Sequence, residues 1–188
     1  MNFNIAVLPG DGIGPEIIEQ AKKVVLAVCK RFNHSAIFNF GLVGATAIDQ
    51  TGTPLPDKTL DLCKSSDAVL FGAIGHPKYD NNPSVKVRPE QGLLAMRKEL
   101  GLYANIRPVT TFAALIDKSP LKREIVQGAD IIIVRELTGG IYFGKPQGRS
   151  EDGNTAYDTC VYSRYEIERV VRLACDYAMS RTRKITVV

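Results

Sequence analysis

Phe3 to Leu8 is an almost unbroken apolar run closed by Pro9 and Gly10, the pattern of a strand buried on both faces. Pro15 then suits the first turn of a helix carrying Ile17, Ile18, Ala21, Val24, Val25 and Val28 at spacings of three and four. A second strand is expected near Ala36 to Val43, then a turn-rich stretch from Thr51 to Pro56, a short helix near Asp57 to Lys64 and a strand at Ala68 to Ala73. Gly75 to Pro89 reads as a long polar loop with prolines at 77, 83 and 89, a length that usually serves function or is disordered. A helix from Glu90 to Leu100 ends at Gly101, a fitting C-cap. Strands follow at Leu102 to Val109 and Asp130 to Leu137, with a short helix before Gln127. Ile141-Tyr142-Phe143 and Ala156 to Tyr162 are expected to pair as a hairpin arm, and Tyr165 to Arg181 to form an amphipathic helix. Strand and helix alternate, so the fold class is α/β with a largely parallel sheet. Ile185 to Val188 are again strand-type residues, as expected where an α/β sequence is cut within its fold.

Composition adds limits. The chain has 188 residues, 45% of them hydrophobic and 23% charged, with a net charge of +4. Those are ordinary globular values for one domain or two small ones. The longest apolar runs are strand-sized, so no membrane span is expected, and no signal peptide is visible. Lys and Arg are scattered, which argues against nucleic-acid binding. Four cysteines without a Cys-x-x-Cys pair, and two histidines in the chain, argue against zinc and suggest reduced, mostly buried thiols in the cytoplasm.

Several motifs carry chemistry. Gly10-Asp-Gly12-Ile-Gly14 follows a strand and opens a helix, but it lacks the G-x-G-x-x-G spacing and the acidic residue of a dinucleotide fingerprint. Gly139 to Pro146 approaches a phosphate loop, yet Pro146 stands where a hydroxyl is needed. Tyr142 beside it is either a packing aromatic or a phenol placed to move a proton. On the helix after the long loop, Glu90, Leu94 and Arg97 share a stripe with Leu93 at its boundary, either a binding face or a solvated edge of the core. Arg97, Arg107 and Arg135 each fall late on an element, where ligands gather in α/β sheets. Three converging guanidinium forks would suit a substrate with two carboxylates; spacing alone reads equally well as unrelated surface residues.

Leu8 to Ile17 (LPGDGIGPEI), Leu70 to Asp80 (LFGAIGHPKYD), Arg88 to Val109 (RPEQGLLAMRKELGLYANIRPV) and Val134 to Gly148 (VRELTGGIYFGKPQG) together resemble the 3-isopropylmalate dehydrogenases, the leucine-biosynthesis branch of the β-decarboxylating dehydrogenases. The resemblance spans essentially the whole chain. It implies that family's own two-domain α/β fold, which is not a Rossmann fold. Residues 1 to 102 would belong to a first, cofactor-side domain, and 103 to 188 to a second domain with a hairpin arm that pairs in a homodimer. It further implies Arg97, Arg107 and Arg135 as substrate-carboxylate ligands, with Glu90, Leu93 and Leu94 at the substrate's side chain and Tyr142 as catalytic tyrosine. Ile13, Gly75, His76, Pro77, Lys78 and Glu90 would lie along NAD. Leucines on that helix face suit an isopropyl group, where isocitrate enzymes carry a serine and an asparagine for a third carboxylate. The implied reaction oxidises the C2 hydroxyl, passes hydride to NAD⁺ and releases CO₂, with Mg²⁺ or Mn²⁺ on ligands beyond residue 188. Family members run to roughly twice this length, so the 188 residues alone are expected to be inactive. Other readings are a non-catalytic dimerising unit, or a related enzyme acting on another alkylmalate or on tartrate.

Overall fold

A computed structural model describes residues 1–80 and 85–188. The chain divides into two compact units, Met1–Leu100 and Gly101–Val188.

The first unit is built around β1 (Asn2–Gly10), the middle strand of a parallel sheet ordered β2-β1-β3, with β2 at Ser35–Phe40 and β3 at Ala68–Ala73. Side chains alternate across a strand, so β1 feeds two cores. Ala6 and Leu8 join Val43, Cys63 and Met96, with Val69 and Phe71 of β3 packed alongside. Ile5 and Val7 join Ile18, with Ala36, Phe38 and Leu70 around them. The second core is covered by α1 (Gly14–Arg31) and the first by α3 (Asp57–Lys64) and α4 (Pro89–Glu99). A central strand covered on both faces has to be apolar throughout, which is why FNIAVL shows no alternation.

Not every apolar position on α1 is inside. Gly14, Ile18 and Cys29 are buried, whereas Ile17, Val24 and Val28 lie one stripe over and are exposed. Strand β2 also ends earlier than its apolar pattern suggests, at Phe40, and Val43 packs into the core from the loop beyond it. Just after Val43 the chain forms a helix the pattern did not announce, α2 (Ala45–Thr51).

The second unit is an antiparallel pair, β4 (Ala104–Thr110) with β5 (Asp130–Glu136), linked through two 3₁₀ turns' worth of chain at Ala113–Lys118 and a short α5 (Arg123–Val126). The parallel arrangement is thus confined to the first sheet. Helix α6 (Arg164–Met179) packs against β5, started by Ser163, whose hydroxyl accepts the Glu166 N–H while the Glu166 carboxylate accepts the Ser163 N–H.

The hairpin arm is smaller than expected and differently placed. Its strands are β6 (Gly148–Arg149) and β7 (Ala156–Tyr157). Ile141-Tyr142-Phe143 is not a strand: Gly140 sits at φ +69°, and its carbonyl accepts the N–H groups of Phe143 and Gly144, closing a 3₁₀ turn over Gly140–Tyr142. Ile185 to Val188 likewise form no strand, since the second sheet is ordered only β4-β5. Of the four thiols Cys29 and Cys63 are buried, but Cys160 and Cys175 are exposed, fewer inside than expected. Burial pushes the Cys63 thiol pKa up.

Candidate functional site

In the first unit, β1 leads by α1 to β2 on one side, while β3 lies on the other. Ligands of α/β sheets sit beyond the carboxyl ends of strands where the order reverses. Here that place is the end of β1 and β3, and the turn Gly10–Gly14 and residue Gly75 meet there. The glycines of the turn are packing residues. A Cβ on Gly10 would stand 1.9 Å from the Ala73 carbonyl oxygen, and one on Gly14 would stand 2.0 Å from that of Pro9. That space is filled by the chain's own backbone, so the turn is not a phosphate cradle of the dinucleotide kind. Ile13 projects from it, exposed.

Asp11, only 3% exposed, organises this corner. Its carboxylate accepts the N–H groups of Ala45 and Thr46 at 2.8 Å each, the Thr46 hydroxyl at 3.0 Å and the Gly75 N–H at 3.1 Å. The next residues, Pro77–Tyr79, form a 3₁₀ turn capped by the His76 ring, which accepts the Lys78 N–H. Lys78 Nζ reaches both oxygens of Asp49 at 2.5 Å, and the Tyr79 hydroxyl donates to Asp49 at 2.8 Å. The Lys78 hydrogen bond holds the Asp49 carboxyl below the usual carboxylate range, and Asp49 in turn raises Lys78. The expected loop Gly75 to Glu90 includes 81–84, which lie outside the described residues.

Helix α4 starts at Pro89, and the Gln91 side chain accepts the Arg88 N–H at 3.1 Å. Glu90 is exposed near Gly75, 3.7 Å from where a Gly75 Cβ would be. Leu93 packs against the core with Met96 and Leu100. Leu94 and Arg97, both half-buried, share the neighbouring face with Glu90 at helical spacings of four and three.

In the second unit the strand register brings two arginines together. Arg107 is the fourth of seven residues in β4 rather than a terminal one. Because β5 runs antiparallel, positions late on both strands would lie at opposite ends. Instead Arg107 pairs with Ile133 and Asn105 with Arg135, so the four side chains stand on one face, with the arginines on a diagonal. Arg107 Nε donates to Asn105 Oδ1 at 2.5 Å. Arg135 Nη2 donates to the Tyr142 phenol oxygen, and its guanidinium lies 5.2 Å from that ring's centroid. A guanidinium has five N–H donors, so this contact leaves several for a bound carboxylate. Arg107, Arg135 and Tyr142 are all exposed on this face.

The opposite face of β5 fixes the turn that presents Tyr142. Glu136 accepts the N–H groups of Thr138 and Gly139 at 2.7 Å each, the Thr138 hydroxyl at 2.8 Å and Arg169 Nη2 at 2.9 Å. Burial pushes its pKa up, but the bonds from Thr138, Gly139 and Arg169 outweigh that and hold it below the ordinary range. Arg169 also lies between the rings of Tyr103 and Tyr165, at 4.8 and 4.9 Å. A lowered carboxyl pKa contributes stability above the unfolded value, about 4.3, that is lost as pH falls through the folded value. The midpoint of denaturant unfolding of this unit is therefore expected to drop below about pH 4. Glu136→Gln should lower it at pH 7 and flatten that acid dependence; an equally steep loss in the variant would assign the transition to other groups.

A glycine supports the same turn. Gly140, besides its positive φ, leaves no room for a side chain: a Cβ would stand 2.3 Å from the Tyr162 hydroxyl. Gly140→Ala should cost about 1–2 kcal/mol for the left-handed backbone alone, with further loss as Tyr162 is displaced, read as a lower unfolding midpoint.

Residues 4–188 match the family described as isocitrate/isopropylmalate dehydrogenase. The chain belongs to this family. It is 56% identical over 188 residues to a 3-isopropylmalate dehydrogenase of Bacteroides fragilis, covering 100% of this chain and 52% of that protein. With the corresponding protein of Geobacillus kaustophilus it shares 57% identity over 189 residues, again all of this chain and 51% of the relative. Among solved structures, isocitrate dehydrogenase from Methylococcus capsulatus superposes with a TM-score of 0.74 at 30% identity, over 95% of this chain and 48% of that one. The chain thus spans about half the length of the curated relatives it matches.

For an isocitrate/isopropylmalate dehydrogenase chain, two structural points bear on cofactors. Among the described residues no group of three or more His, Cys, Asp and Glu side chains is placed to hold a metal ion. A cavity of about 470 Å³ lies along Asp130–Val134 between the end of α6 and the terminal residues, and it is lined by none of the predicted site residues. No described helix is long and apolar enough to cross a membrane. Sequence reasoning missed Asp11, Asp49, Asn105 and Glu136. Asn105 had a signal, since it lies two residues before Arg107 on the same strand face.

Proposed function

We propose that the protein is an NAD-dependent 3-isopropylmalate dehydrogenase, converting 3-isopropylmalate to 2-oxoisocaproate and CO₂ in leucine biosynthesis, as a cytoplasmic homodimer. The observation that carries this reading is the match along the whole chain to proteins of that name. The geometry agrees with it in its parts. Arg107 and Arg135, diagonal on one strand face, form a pair of forks for the substrate's carboxylates. Arg97 and Leu94 lie on one face of α4 with Glu90, and Leu94 offers apolar surface to the isopropyl group. Leu93 supports that face from the core. Ile13, Gly75, His76, Pro77, Lys78 and Glu90 form the coenzyme side, and the β6–β7 hairpin is the dimer arm.

In the reaction the C2 hydroxyl would give its proton to a general base other than Tyr142, and NAD⁺, when bound, would supply the acceptor for the C2 hydride. The bond from C3 to its carboxylate then breaks, CO₂ departs and the electron pair forms the enolate, with its charge on the C2 oxygen. Tyr142, its oxygen held by Arg135, delivers a proton to C3. Mg²⁺ or Mn²⁺, when bound, supplies charge stabilisation at the C2 oxygen, and the described residues of this chain do not gather its ligands.

The test is a coupled substrate comparison on protein expressed from its complete reading frame. NADH formation is expected with 3-isopropylmalate and not with isocitrate. Leu94→Asn should lower kcat/KM for isopropylmalate by about 10–200-fold, the value of a lost apolar contact in such a pocket. Equal efficiency with isocitrate, or an unchanged Leu94→Asn variant, would overturn the substrate assignment.

A further inference from the structure

Helix α2 is held at its start by Asp11 and reaches out through its own Asp49, so that the two aspartates belong to one physical chain of contacts. At its start, Asp11 accepts the N–H groups of Ala45 and Thr46 and, through the same carboxylate, the N–H of Gly75. One turn on, Asp49 takes the Lys78 ammonium on both oxygens and the Tyr79 hydroxyl on one. Among the described residues, the N–H groups of 78–80 make local hydrogen bonds, Lys78 to the His76 ring, Tyr79 to the His76 carbonyl and Asp80 to the Pro77 carbonyl. Apart from Arg88, whose Nη1 reaches the Tyr79 carbonyl at 3.3 Å, the bonds described between this segment and the rest of its unit run to α2 or to Asp11. Helix α2 is therefore a strut between the Gly10–Gly14 turn and the Gly75–Tyr79 segment.

We propose that Asp49 is a positioning residue for the coenzyme: by gripping Lys78 and Tyr79 from the side it presets the segment that carries His76 and Pro77. The proposal rests on the reading of that segment as the coenzyme side. The Lys78 ammonium, which a sequence reading would aim at the coenzyme, is committed to Asp49 and acts through it. An exposed ion pair adds little to global stability. Its consequence is preorganisation, because a segment already in its bound place spends less ordering entropy on binding. A stability measurement is thus nearly blind to this contact, whereas the KM for coenzyme is not.

The experiment uses protein from the complete reading frame. Asp49→Asn should raise the KM for NAD⁺ about tenfold while kcat at saturating NAD⁺ changes less than twofold. Lys78→Met should do the same, and the double variant should be no worse than either single one. A wild-type KM in Asp49→Asn, with a raised KM only in Lys78→Met, would overturn the proposal and make Lys78 a direct coenzyme ligand. A separate arm, without coenzyme, follows acylation of the Lys78 amine by mass spectrometry; it should be several-fold faster in Asp49→Asn. If that rise occurs but the wild type reduces no NAD⁺, the functional reading has failed and takes the positioning role with it. Unchanged acylation would overturn the grip itself.

Discussion

Tyr142→Phe is expected to lower turnover of isopropylmalate by about 10²–10⁴-fold, the usual worth of a placed proton donor, and to leave folding nearly untouched. Both halves of that expectation come from its surroundings. The residue is 41% exposed, so its ring contributes modest packing, and phenylalanine keeps the ring. What the substitution removes is the oxygen that Arg135 holds. The guanidinium left behind lies at the surface, where water replaces the lost acceptor at little cost. The unfolding midpoint should accordingly stay within about 0.5 kcal/mol of the wild type. KM for isopropylmalate should change little, because the arginine pair is intact, so the loss falls on kcat. The assay is NADH formation at saturating substrate by protein of the complete reading frame. Turnover within twofold of wild type would return Tyr142 to the role of a packing aromatic.

The parts of this molecule that could be read from the sequence are those governed by neighbours along the chain. The apolar run of β1, the period of α3 and α4, and the glycine after Leu100 follow from local pattern, and the structure forms β3 and α3 over the expected residues. What could not be read depends on partners far away. Helix α2 is seven residues long, below the length at which propensity and pattern are informative, and it is started by Asp11, 34 residues earlier. The two arginines of the second unit share a face because β4 and β5 are antiparallel in a particular register, and no spacing within either strand encodes that. The aromatic run at Ile141-Tyr142-Phe143 has strand composition, but the left-handed Gly140 and the Glu136 bonds before it turn the chain. Val24 and Val28 lie outside on α1 for a related reason: a helix face is buried only where a partner exists, and α1 covers its sheet with the stripe through Ile18.

Asp11→Asn is expected to be the most damaging single-atom change in the first unit. An ionised carboxylate is an acceptor only, with about four lone-pair positions. Asp11 meets four donors: two backbone N–H groups and a hydroxyl at α2, and the Gly75 N–H. Even the neighbouring chain is shaped around it, since a Cβ on Gly44 would stand 2.3 Å from Asp11 Oδ2. Asparagine keeps one acceptor oxygen and turns an NH₂ group toward N–H groups for which the described residues offer no second hydrogen bond. At about 1–3 kcal/mol for a buried donor left unsatisfied, the loss of one such acceptor comes to about 1–3 kcal/mol. The damage should be local before it is global. Amide exchange at Ala45, Thr46 and Gly75 should accelerate first, together with that of residues 76–79, while the amides of β4 and β5 keep their protection. The measurement is hydrogen exchange followed by mass spectrometry alongside denaturant unfolding. An asparagine variant with wild-type protection at Ala45 and Gly75 would mean that these donors find another acceptor and that the corner does not depend on the charge of Asp11.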